Sequence, residues 1–186
     1  ELETAGVSGM SIEDTELPRP YGEPRPRMLS VEEGVGKMRA AMAAKEDPAL
    51  VVAGRTSAVA IAGLDEGVRR ARAYEAAGVD AIFMVGVETR AQLDAIAAAT
   101  TLPLILGGGT PELKDKTYLA ARRVRIALQG HQPIMAAQQA VHATLKALRD
   151  GVDPKDLTGL PGKDLMRVAT RSDAYDRWTK DYLGDG

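Results

Sequence analysis

The chain has 186 residues, with 24 Lys and Arg against 26 Asp and Glu, and a net charge of −2. Phosphate-binding surfaces usually carry a basic excess, so nucleic acid is not an expected partner. The chain has no cysteine, which excludes disulfides, thiolate nucleophiles and cysteine-based zinc sites.

No apolar run approaches the ~18 residues that cross a bilayer, so no membrane partner is expected. No export signal is visible, and the expected compartment is cytoplasmic. Hydrophobic residues make up 45% of the chain but aromatic ones only 4%. An aliphatic composition of this kind suits short parallel strands covered by Ala-rich helices.

In chain order, Glu1 to Gly6 reads as the last turn of a helix with a glycine stop. That start leads to the expectation that the chain is the C-terminal part of a longer protein. Val7 to Ile12 reads as a buried strand ending at Glu13 and Asp14. The segment from Leu17 to Leu29 is a loop rich in proline and arginine. Ser30 and Glu33 form a capping box that opens a helix running to about Lys45. A second strand covers Ala49 to Ala53 and ends at Gly54-Arg55-Thr56, and a helix from Asp65 to Ala77 stops at Gly78. The third strand is Ala81 to Val85. Thr89 and Gln92 form another capping box, which starts a helix to about Ala98.

The fourth strand, Leu102 to Leu106, runs into Gly107-Gly108-Gly109, and Thr110-Pro111 reads as an N-cap with proline at the first helical position. The fifth strand, Val124 to Leu128, ends at Gln129-Gly130-His131, and a helix covers about Pro133 to Asp150. Strict alternation with short connections implies a parallel sheet. Residues 1–150 are expected to form five β/α units. An eight-fold barrel needs roughly 250 residues, so these units fit one that lacks its first three. An open doubly wound sheet is the alternative. Residues 151–186 are expected to form a linker and C-terminal helices, the last carrying Tyr175, Trp178 and Tyr182 on one face.

In parallel α/β folds the working groups gather at the carboxyl ends of the strands. Those ends carry Glu13, Asp14, Arg55, Thr56, Gly86 to Glu88, the Gly107 to Gly109 run and Gln129 to His131. They describe an acid pair, an arginine and a histidine around an anionic substrate. Arginine can clamp a carboxylate through two parallel hydrogen bonds. The glycine run ahead of a helix could either cradle phosphate or form a plain turn.

The strings SIEDT (11–15), EEGVGKM (32–38), AGRTSA (53–58), AGVDAIF (77–83) and QGH (129–131), in this order, resemble the isocitrate lyase/phosphoenolpyruvate mutase superfamily. The resemblance is nearest to its oxaloacetate decarboxylase branch. It implies an α/β fold, a (β/α)8 TIM-type barrel, with the five strands here as numbers four to eight. It also implies C-terminal helices swapped between paired subunits, in a homo-oligomer arranged as a dimer of dimers.

The implied cofactor is Mg²⁺, with Mn²⁺ as a substitute, and the implied substrate is a small α-keto acid such as oxaloacetate. Its C–C bond would be cleaved through a metal-stabilised enolate. By the same resemblance Glu13 lies in the metal's outer shell, holding a coordinating water. Arg55 matches the substrate-carboxylate arginine, and His131 matches a histidine near the substrate. The principal metal-binding aspartates belong to earlier strands.

Two departures from the family pattern stand out. The loop from Leu17 to Leu29 lacks the cysteine acid of the lyases. Gly108 stands where the decarboxylase has a tyrosine, which implies a wider pocket. Two other readings are a phosphoenolpyruvate- or phosphonopyruvate-type phosphoryl chemistry and a catalytically inactive oligomeric interaction protein.

Overall fold

The computed structural model describes residues 1–184. They form two compact units, the first Glu1–Gly130 and the second starting at His131. In the first unit the strands are β1 (Gly9–Glu13), β2 (Val51–Thr56), β3 (Ala81–Met84), β4 (Leu104–Leu106) and β5 (Val124–Ala127). The helices between them are α1 (Val31–Ala44), α2 (Ala58–Ala62), α3 (Leu64–Ala76), α4 (Arg90–Ala99) and α5 (Lys116–Ala121).

All neighbouring strands pair in parallel, in the order β1-β2-β3-β4-β5. A doubly wound sheet reverses its strand order at a switch point. No reversal occurs here: each strand lies beside its predecessor, as along the arc of a barrel. The sequential order therefore decides between the two architectures left open by the alternation.

Local chemistry explains where the helices begin. The Ser30 hydroxyl accepts the Glu33 N–H, and the Glu33 carboxylate accepts the Ser30 N–H. The Ser30 hydroxyl also donates to the Glu33 carboxylate, and this bond, followed by that from the Ser30 N–H, holds the Glu33 carboxyl below the usual range. Thr89 and Gln92 complete the same reciprocal box at the start of α4. Such boxes satisfy backbone donors that the first helical turn leaves unpaired.

Two elements depart from expectation. The short helix α2 follows β2 directly and is cut from α3 by Gly63, whose φ of 94° favours glycine. Thr110-Pro111 opens only a 3₁₀ turn over Pro111–Leu113. The helix itself starts later, where the Asp115 carboxylate accepts the N–H groups of Thr117 and Tyr118.

One sheet face is covered by the helices. Met38 of α1, Ala71 and Tyr74 of α3, Leu93 and Ile96 of α4 and Leu119 of α5 pack with Ile82, Met84, Leu104, Leu106 and Val124 of the strands. Burying a side chain such as Leu93 contributes about 2–3 kcal/mol. The opposite face carries a smaller cluster of Ala53, Ala81 and Phe83, with Val85 and Ile105 packed against it.

In the second unit, α6 (Gln132–Arg149) is followed by α7 (Lys163–Ala169), within the stretch expected to be linker, and α8 (Ser172–Leu183). Tyr175 and Trp178 on α8 meet edge to face at 5.3 Å, and both remain exposed together with Tyr182.

Candidate active site

The parallel register builds one continuous row of side chains across the open sheet face. Glu13 pairs with Arg55, Arg55 with Phe83, Phe83 with Ile105, and Ile105 with Ile126. Register partners in neighbouring parallel strands point to the same side. The charged end of the row is therefore Glu13 and Arg55, at the carboxyl ends of β1 and β2.

The Glu13 Oε2 and the Arg55 Nη2 lie 3.6 Å apart, with side chains 28% and 35% exposed respectively. That separation lies outside hydrogen-bond range. An ion pair this open stabilises the fold by about 0–1 kcal/mol. The Arg55 guanidinium also stacks over the Phe83 ring, 5.1 Å from its centroid, while its buried Nε has no partner. Arg55 is thus held from below and beside, and its terminal nitrogens stay available to an anion. Lys37 Nζ donates to the Glu13 carbonyl at 2.6 Å and anchors the end of β1 to α1.

Glu13 and Asp14 do not act as the acid pair expected from their adjacency. Successive strand residues point to opposite faces. Glu13 faces the open side, whereas Asp14 is fully buried against α3. Asp14 Oδ2 accepts hydrogen bonds from Arg70 Nη1 at 2.8 Å and from the Tyr74 hydroxyl at 2.6 Å.

Burial works against the Arg70 charge, but hydrogen bonds to Glu66, Asp14 and Tyr74 outweigh it and raise its pKa. Burial, reinforced by the Asp14 carboxylate, pushes the Tyr74 hydroxyl up. Arg70 and Tyr74 were absent from the residues singled out by sequence. Their spacing of four places both on one face of α3 and is the signal available for them.

Gly108 follows β4, at the same end of the parallel sheet as Glu13 and Arg55, and a Cβ placed there would meet nothing within 4 Å. The Gly107–Gly109 run leads into the 3₁₀ turn and not into a helix N-terminus, so it lacks the aligned N–H groups of a phosphate cradle. His131 opens the second unit as the N-cap residue of α6; its side chain makes no capping hydrogen bond.

Among the described residues no group of three or more His, Asp or Glu is arranged to hold a metal ion. Mg²⁺ prefers octahedral oxygen coordination and keeps several waters. The residues present do not make up an inner sphere.

The fold defines a protein of the parallel α/β barrel class, with Glu13 and Arg55 at the carboxyl ends of its strands. The chain belongs to the phosphoenolpyruvate phosphomutase family, whose model matches residues 1–149. It is 55% identical over 186 residues to an oxaloacetate decarboxylase of Bradyrhizobium sp. (strain ORS 278), covering 100% of this chain and 65% of that protein. It is 56% identical over 184 residues to an oxaloacetate decarboxylase of Rhodopseudomonas palustris (strain BisB5), covering 99% of this chain and 64% of that protein.

Among solved structures, it resembles oxaloacetate acetylhydrolase in complex with 3,3-difluorooxalacetate. The TM-score is 0.73 at 27% identity, over 100% of this chain and 64% of that one. It also resembles phosphonopyruvate hydrolase in complex with oxalate and Mg²⁺. Here the TM-score is 0.69 at 30% identity, over 97% of this chain and 65% of that one. The chain thus spans just under two thirds of the length of these relatives.

Proposed function

We propose that this chain supplies the carboxylate-binding part of a carbon–carbon lyase that decarboxylates oxaloacetate or a similar small α-keto acid. The observation that carries this reading is the Arg55 guanidinium. It stands on the open sheet face, stacked on Phe83 and flanked loosely by Glu13. Arg55 binds the substrate carboxylate through paired N–H donors. Loss of carbon dioxide leaves its bonding electrons on the remaining keto acid as an enolate, which is then protonated. His131 is proposed to orient substrate or water, and Gly108 to line the pocket.

The cation of the complete site is proposed to be Mg²⁺, with Mn²⁺ as a substitute. Glu13 would hold one of its waters. A cytoplasmic homo-oligomer, a dimer of dimers, belongs to the same reading. The exposed Tyr175, Trp178 and Tyr182 support a role for α8 between subunits. The turn after the glycine run offers no helix N-terminus, so a phosphoryl-transfer reading is not favoured.

The test is oxaloacetate consumption by the complete enzyme that contains this chain, in the presence of Mg²⁺, with phosphonopyruvate as the competing substrate. Decarboxylation that disappears in Arg55→Met supports the reading. Turnover of phosphonopyruvate alone, or activity indifferent to Arg55→Met, overturns it.

A further inference from the structure

We propose that Arg70 is a positioning residue that clasps the neck of the loop between Asp14 and Leu29, and so fixes Glu13 beside Arg55. This inference deepens the functional reading above and rests on it for its catalytic consequence. Arg70 is almost fully buried, and its guanidinium spans both ends of the loop. Nη1 donates to the Asp14 carboxylate at 2.8 Å, where the chain leaves β1. Nη2 donates to the Leu29 carbonyl at 2.7 Å, where the chain returns towards α1. Nε is held by Glu66 at 2.8 Å, which orients the plane of the group.

The backbone repeats the closure. Leu29 N–H donates to the Asp14 carbonyl and Glu16 N–H to the Arg27 carbonyl, both at 2.9 Å, and Thr15 bridges Met28. The loop departs and returns through one stitched neck beneath which a single cation sits.

A buried ion pair is a weak means of adding stability, because well-packed apolar residues often do as well. Its distinct contribution is geometric: the planar fork meets separated acceptors at fixed directions. Asp14 is the covalent neighbour of Glu13 and points the opposite way from it. Locking Asp14 against α3 therefore locks the end of β1, and with it the direction of the Glu13 carboxylate. An ammonium at position 70 would keep the charge opposite Asp14 but could not span Asp14, Leu29 and Glu66 together.

The experiment compares amide hydrogen exchange in the wild-type protein and in Arg70→Lys. Losing a hydrogen bond from a charged donor should speed exchange at Glu16 and Leu29 by about tenfold or more relative to Ile82 of β3. Tryptic cleavage at Arg27–Met28 should accelerate with it, since Arg19 and Arg25 precede proline. The catalytic arm measures oxaloacetate turnover. Arg55 lies on a different strand, so KM should stay within about twofold while kcat falls about tenfold. Asp14→Asn, nearly the same shape, should loosen the same two amides and serves where Arg70→Lys does not fold.

Neck amides as protected as in wild type, or loosened only in step with Ile82, overturn the clasp. A loosened neck with unchanged kcat overturns the positioning role. Absence of oxaloacetate turnover in the complete enzyme that contains this chain overturns the functional reading and the catalytic consequence, while the exchange result still decides the clasp.

Discussion

Glu13 and Arg55 are register partners on adjacent strands, yet their charged groups stop 3.6 Å apart, short of a hydrogen bond. Two charges this close in a shared row could have closed into a bidentate pair. Arg55 instead leans over Phe83 and keeps its terminal donors free. Its value to the fold is small, so its removal should be felt in chemistry more than in stability.

Arg55→Lys keeps the charge and loses the two-pronged geometry. Transition-state stabilisation should fall by about 2–4 kcal/mol, read as kcat/KM on oxaloacetate, with the urea midpoint nearly unchanged. A kcat/KM equal to wild type would remove Arg55 from the site.

Gly108 tests the width of the pocket. A Cβ there meets nothing within 4 Å, whereas one at Gly107 would come within 2.8 Å of Val85 Cγ2. Gly108→Tyr should therefore fold with little loss, raise activity on oxaloacetate and lower it on bulkier keto acids. Gly107→Ala should instead destabilise by about 1–3 kcal/mol through overpacking. An unchanged substrate profile in Gly108→Tyr would show that the position does not line the site.

The parts of this fold that were legible in sequence are those decided by near neighbours. The Ser30–Glu33 and Thr89–Gln92 boxes need only residues three apart, and both form as read. Gly78 stops α3 with a φ of 95°, which its lack of a side chain permits. The positions that misled depend on partners far along the chain. Asp14 read as an active-site acid because its partners Arg70 and Tyr74 lie 56 and 60 residues away. Thr110 read as a helix cap, but its hydroxyl donates to the Glu88 carbonyl of the preceding loop. The place of Arg55 near the carboxyl end of β2 was legible, because the apolar run before it marks the strand. Its stacking on Phe83 was not legible, since it depends on the register between β2 and β3.

Tyr74 should make the protein sensitive to alkali. Burial and the Asp14 carboxylate raise its folded pKa above the ordinary value of 10.0. Above that pH the unfolded chain releases the phenolic proton and the folded one keeps it. The unfolded state then binds fewer protons, so stability is complete below pH 10.0 and declines as pH rises beyond it. The limiting slope from one such group is about 1.4 kcal/mol per pH unit. Tyr118 is raised too, by desolvation and then Asp94, and adds to the decline. Urea midpoints between pH 9 and 11 should fall less steeply in Tyr74→Phe, even though that variant starts lower for lack of its bond to Asp14. Equal slopes in the two proteins would show that Tyr74 keeps its proton no more tightly in the folded state.

The packing around Tyr74 also sets two glycines of one helix against each other. Alanine is favoured over glycine inside a helix by about 0.8–1 kcal/mol. Gly36 lies on the exposed side of α1, and a Cβ there meets nothing within 4 Å, so Gly36→Ala should stabilise by about that amount. Gly34 lies two residues earlier, on the buried side. A Cβ there would stand 2.5 Å from the Tyr74 hydroxyl and 3.2 Å from its ring carbons. Tyr74 is poorly placed to yield, because its hydroxyl is tied to Asp14 at 2.6 Å and to Arg70 at 3.2 Å. Overpacking at a fixed neighbour costs about 1–3 kcal/mol, which exceeds the helical gain. Gly34→Ala should therefore destabilise, and pairing it with Tyr74→Phe should recover part of the loss by removing the clashing oxygen. Urea denaturation of the single and double variants reads the coupling directly. If both alanines raise the midpoint, Tyr74 is free to move, and the buried Asp14–Arg70–Tyr74 group is looser than its hydrogen bonds indicate.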